Sequence, residues 1–109
     1  MTITYKVLGQ INPAANTTTT IYVVPGLTSV IISTVAICNQ STSATTFSIM
    51  VQPANAVLAP KHYINYNTPL PANDTITLTI GITMATTDVL AGSAASSLVS
   101  FSAFGSEIS

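Results

Sequence analysis

TITLTIGIT, the stretch from Thr75 to Thr83, sets Ile76, Leu78, Ile80 and Ile82 against Thr75, Thr77, Thr79 and Thr83, with Gly81 in the place of one threonine. A period of two sends successive side chains to opposite faces of an extended chain. One face is therefore apolar and the other a row of hydroxyls, the pattern of a half-buried β-strand. The same period recurs outward in both directions, and no stretch carries the i, i+3, i+4, i+7 stripe of an amphipathic helix. The chain reads as all-β.

Seven further strands follow from the same signal. Ile3, Tyr5 and Val7 alternate with Thr4 and Lys6 in a first strand that ends near Gly9, before a loop at Asn12-Pro13. Ile21 to Val24 and Ser29 to Cys38 flank the turn residues Pro25-Gly26 and are expected to pair as a hairpin. Phe47, Ile49 and Val51 share one face of a strand that Pro53 stops. A connector from Ala54 to Pro60 leads to a short strand from His62 to Tyr66, and TPLPAND, Thr68 to Asp74, reads as an extended turn. Asp88 to Ala91 and Leu98 to Phe104 complete the set, separated by Gly92 and small residues. Eight short strands at intervals of about ten residues predict one domain spanning residues 1–109, an eight-stranded jelly-roll-like β-sandwich of two four-stranded sheets. An immunoglobulin-like strand order stays open, without the Trp and cysteine pair that would support it.

Charge is the second informative property. Val7 to Pro60 contains no Lys, Arg, Asp or Glu, and charged residues are 5% of the chain against 48% hydrophobic. Soluble surfaces usually draw roughly a quarter to a third of their residues from those four types. A surface so poor in charge suits permanent assembly. With a net charge of -1 the chain has no basic footprint for phosphates, so nucleic acid is not an expected partner. The most apolar stretch, Ile21 to Cys38, is broken by Pro25-Gly26 and four hydroxyl residues, so no membrane span is expected. The opening MTITYKV lacks the pattern of an export signal, and Cys38 is the only cysteine, which fits synthesis in a cytoplasm.

Both faces of the Ile21 to Cys38 segment are apolar, whereas a two-layer sandwich covers only one face of each sheet. The row Ile32, Thr34, Ala36 and Cys38 is smaller and more polar than Ile31, Val35 and Ile37. It is assigned outward, with Val23 beside it, as an oligomer interface. A terminal segment folding over this face is the alternative left open.

Chemistry finds little foothold. His62 is the one histidine, and with one Cys and three acids no zinc or calcium ligand set is apparent within a subunit. A metal held by His62 repeated around a symmetry axis stays open. No serine lies in GxSxG or SxxK, and Asp74 and Asp88 sit where turns feed strands, so neither catalysis nor a cofactor is expected. Tyr63 and Tyr66 with Asn65 and Asn67 form the best glycan platform the residues offer, against core or interface packing as the plainer role of tyrosine.

Four stretches read together carry a resemblance: YKVLGQ from Tyr5, YVVPGLTSVIISTVAICNQS from Tyr22, KHYINYNTPLPANDTITLTIGITMATTDV from Lys61 and SFSAFGSE from Ser100. In that order the chain resembles small virion structural proteins of tailed bacteriophages, particularly those infecting cyanobacteria. The resemblance implies a β-sandwich virion component, made in the host cytoplasm, that joins the particle as a symmetric homo-oligomer. Its first implied role is that of a capsid cement or decoration protein, a trimer over junctions of the major capsid protein. The second is a tail, baseplate or fibre-associated module that contacts a host glycan.

Overall fold

The computed structural model describes all residues, Met1–Ser109. Nine strands follow in order: β1 (Ile3–Ile11), β2 (Thr19–Val23), β3 (Ser29–Asn39), β4 (Thr45–Gln52), β5 (Tyr63–Leu70), β6 (Thr75–Leu78), β7 (Ile82–Met84), β8 (Val89–Ala94) and β9 (Val99–Ile108). Single 3₁₀ turns at Pro53–Asn55 and Pro60–His62 are the only helical segments. One sheet, here sheet A, runs β1-β9-β3-β6 with β7 also on β3, and sheet B runs β2-β8-β4-β5.

Every pairing is antiparallel. β1 with β9, β2 with β8, β3 with β6 and β7, and β4 with β5 are the partners of one long hairpin rolled up on itself. Contacts of β3 with β9 and of β4 with β8 complete the two sheets. This is jelly-roll order, and the immunoglobulin alternative falls away. Between the sheets lies a core that includes Ile32, Ile37, Phe47, Ile49, Leu70, Leu90 and Phe101.

Several sequence expectations need correction. The Ile21–Val24 and Ser29–Cys38 strands do not form a hairpin: β2 joins sheet B through β8, and β3 joins sheet A, so the chain crosses between sheets at residues 24–28. Pro25 and Gly26 mark that crossing, but Leu27 takes the left-handed backbone, at φ 55°. Thr75–Thr83 is two strands on the same partner, broken where Gly81 turns left-handed at φ 60°. A period-two pattern continues through such a break because flanking residues keep their parity. Thr68–Leu70 belong to β5 despite Pro69, which is tolerated because β5 is an edge strand and need not donate that N–H. Gly92 lies inside β8, where a Cβ would come within 3.0 Å of the Phe101 ring.

The assignment of β3 faces is overturned in its first half. Val30 and Ile32 are each 1% exposed, Val35 and Ile37 are fully buried, and Ile31 is 40% exposed. Two buried residues of even number followed by two of odd number require a change of parity. It occurs at Ser33, where the register with β9 shifts between Ile32 and Thr34. Ile32 therefore points into the core, not outward, and Ile31 is the outward residue. Across the shift stands Gly105, where a Cβ would overlap the Ile31 carbonyl oxygen. Val23 is also misassigned, since it pairs with Val89 in sheet B and lies on a different face from Thr34, Ala36 and Cys38.

Two substitutions read this geometry. Ile32→Asp places an unpaired carboxylate in the core and is expected to cost more than about 4 kcal/mol, leaving little folded protein by circular dichroism. Ile31→Asp keeps a folded chain, and equal damage from both would contradict the parity change. Gly105→Ala is expected to destabilise by about 2 kcal/mol or more in urea unfolding, since the clash is with backbone.

Candidate assembly surface

Residues paired directly across a ladder share a face, so the register fixes what sheet A turns outward. Tyr5, Ser106, Ile31 and Thr83 form one row across β1, β9, β3 and β7. Val7, Phe104 and Thr34 form the next. Gln10, Ser102, Ala36 and Thr77 follow, and then Ser100, Cys38 and Thr75. No Lys, Arg, Asp, Glu or His stands in these rows. The half nearest the chain termini is bulky, with Tyr5 at 82% and Val7 at 49% exposure. The far half is mostly Ser, Thr and Ala with the free thiol of Cys38, and Gln10 stands at its β1 edge.

Sheet B is covered differently. Residues of its outer face, Met50, Val89 and Ala91, form a second small core with Leu58 and Tyr63 from the connector and the start of β5. The connector is tied down by Asp88, whose two carboxylate oxygens accept N–H bonds from Ala54 at 2.8 Å and Ala85 at 2.9 Å. Sheet A has no such cover. The alternative in which a terminal segment folds over it does not occur, because β1 and β9 are themselves strands of that sheet.

Of the residues assigned to the interface, Thr34, Ala36 and Cys38 are together on this outer face, half-buried, while Ile32 and Val23 are elsewhere. Tyr5, Val7, Ile31 and Phe104 were not singled out. Alternation of Tyr5 and Val7 with Thr4 and Lys6 carried part of that signal, whereas Ile31 was hidden by the parity change.

Of the glycan residues, Tyr63 and Tyr66 meet edge to face, 4.9 Å between ring centres. They line an open cleft of about 430 Å³ with Leu58, Ala59 and Pro60. Register shifts against β4 put extra residues into β5 and bring the two rings together. Asn65 and Asn67 are not part of the cleft lining. Asn65 Nδ2 donates to Thr68 Oγ1, and the Asn67 N–H donates to Ser48 Oγ from a left-handed backbone at φ 47°. Both amino acids shape the strand.

His62 is buried in the 3₁₀ turn before β5, where its Nδ1 accepts the Ala59 N–H at 3.0 Å. Asp74 accepts the Thr75 N–H at 2.8 Å, so it and Asp88 stabilise turns. No three of the His, Cys, Asp and Glu side chains come together as metal ligands. No helix is long and apolar enough to cross a membrane.

The ionic cluster of the molecule spans the opening between the sheets. Glu107 on β9 accepts the Tyr22 hydroxyl from β2 through Oε2 and pairs with Lys6 on β1 through Oε1, 3.4 Å from Nζ. Burial, and then the carboxylate, push the Tyr22 phenol well above its ordinary value, so at neutral pH it stays a donor. The Tyr22 hydrogen bond, then Lys6, hold Glu107 below the usual carboxylate range.

No family model matches the chain, and no curated protein matches it significantly.

A carboxylate whose folded-state pKa is depressed contributes stability above its unfolded value, near 4.3, and loses it as pH falls through the lower folded value. The melting temperature should accordingly fall faster below about pH 5 in the wild-type chain than in Glu107→Gln. Parallel curves for the two would remove Glu107 from the acid response.

Proposed function

We propose that this chain is a non-enzymatic structural protein of a virus particle, a cement or decoration protein that reinforces the head as a symmetric oligomer, a trimer. The observation that carries the reading is the uncharged outer face of sheet A. A domain that functioned alone in water would gain solubility from charges there, and the rows that cross this face carry none, Lys6 lying at its border. The resemblance to small virion proteins of tailed bacteriophages supports the same reading.

The mechanism is mechanical. A shell packed with nucleic acid is held by many weak contacts between major capsid subunits, and any protein that binds only their assembled arrangement stabilises it. Apolar and hydroxyl contacts supply that binding with little dependence on salt, because few ion pairs exist to be screened. A rigid jelly roll adds buried area at a junction without moving parts.

The Tyr63 and Tyr66 cleft favours one second reading, a tail or fibre-associated module that stacks a sugar on the exposed Tyr66 ring. Glycan recognition also needs polar groups around the stacked ring, and four of the five lining residues are hydrophobic. The cement reading therefore comes first.

Copy number separates the two. Quantitative mass spectrometry of purified particles should find this chain in hundreds of copies, and particles lacking it should release their genome at a lower temperature. A handful of copies, with unchanged heat release, would move the chain to the tail.

A further inference from the structure

We propose that the outer face of sheet A is covered by a second copy of this chain. The inference rests on the assembly reading above and names both the face and its occupant. Three observations lead to it.

The first is neutrality. Copies arranged around a symmetry axis bring identical residues near one another where the face approaches that axis, and like charges at close range cost several kcal/mol. The rows from Tyr5–Ser106–Ile31–Thr83 to Ser100–Cys38–Thr75 contain no charged residue. Glu107 is drawn toward Tyr22 of the other sheet, and Lys6, at the border of the face, is paired with Glu107. A partner of strong charge would find only Lys6, already paired with Glu107, at the border of this face, whereas a neutral surface of a neighbouring copy loses little by being dry there.

Area is the second. A stable interface takes roughly 800 Å² from each partner. The molecule exposes 5564 Å² and measures 45 × 28 × 20 Å across its Cα atoms, and sheet A is one of its two broad faces. A face of that extent accommodates a contact of standard size, which an isolated loop tip or the Tyr66 cleft does not.

Relief is the third. A shallow depression lined by residues including Tyr5, Ile31, Phe104 and Ser106 lies between the bulky rows, with Lys6, paired to Glu107, at its border. The rows beside it, mostly Ser, Thr and Ala with Gln10 at the β1 edge, leave room for projecting side chains of a neighbouring copy. Large and small residues side by side let two surfaces interlock at the packing density of a protein interior. Within residues 1–109 nothing else is free to fill this space, since the connector covers sheet B and the terminal strands build sheet A.

Sedimentation velocity of the full chain tests the inference with two charge insertions at opposite ends of the face, Tyr5→Glu and Thr77→Glu. Both positions are exposed, so folding is retained and is checked by circular dichroism. Tyr66→Glu, on sheet B, is the control. The wild-type chain and Tyr66→Glu should sediment as the same oligomer, unchanged by salt up to about 1 M. Each face variant should weaken association at least about a hundredfold, because a buried unpaired carboxylate results. Alkylation of Cys38 gives an independent readout, slow in the oligomer and faster in both face variants.

A wild-type monomer at every concentration, or an oligomer that survives both face variants, would overturn the inference. The particle experiment fails separately. An oligomer dissolved by the face variants but absent from purified particles leaves the face assignment standing and removes the virion reading. A chain abundant in particles, with face variants that leave its mass in solution unchanged, does the reverse.

Discussion

The register shift at Ser33, opposite Gly105, is the constraint on which the two faces of the molecule depend. β3 is central in sheet A and pairs with β9, β6 and β7. An eleven-residue strand of strict alternation would have to bury either its even or its odd residues throughout. One extra residue lets Val30 and Ile32 enter the core on one side of the shift and Val35 and Ile37 on the other. The backbones approach so closely there that Gly105 is the residue β9 can offer. From this single shift follow the filled core and an outer row of Ile31, Thr34, Ala36 and Cys38.

A sandwich has two outer faces, and this chain treats them unequally. Over sheet B it lays ten residues of connector, braced by Asp88, and builds a second small core beneath them. Over sheet A it lays nothing. Hydrophobic burial scales with area removed from water, so the covered face adds to the stability of the single chain and the bare face does not.

Electrostatics plays a local part. Lys6, Glu107 and Tyr22 join β1 and β9 of one sheet to β2 of the other, yet Lys6 remains 45% exposed, where ion pairs contribute little. The remaining acids, Asp74 and Asp88, accept backbone N–H groups at turns. Concentrating the few charges at the sandwich opening and its loops is also what leaves the sheet A face neutral.

Much of this was legible in the chain itself. Period-two alternation determined that the protein is all-β, turn residues located most strand ends, and the absence of charged residues from Val7 to Pro60 matches the uncharged rows of β1 and β3 on the outer face of sheet A. Local patterns failed where a backbone shift breaks parity without leaving a residue signature, as at Ser33, or where a left-handed Gly81 divides an unbroken alternation. Pairing across long sequence separations was equally out of reach, so β2 and β3 looked like a hairpin although they lie in different sheets. Composition sets how apolar a surface can be, because it counts the side chains available. Only the tertiary structure decided which face is left bare, because that depends on which strands the register brings side by side.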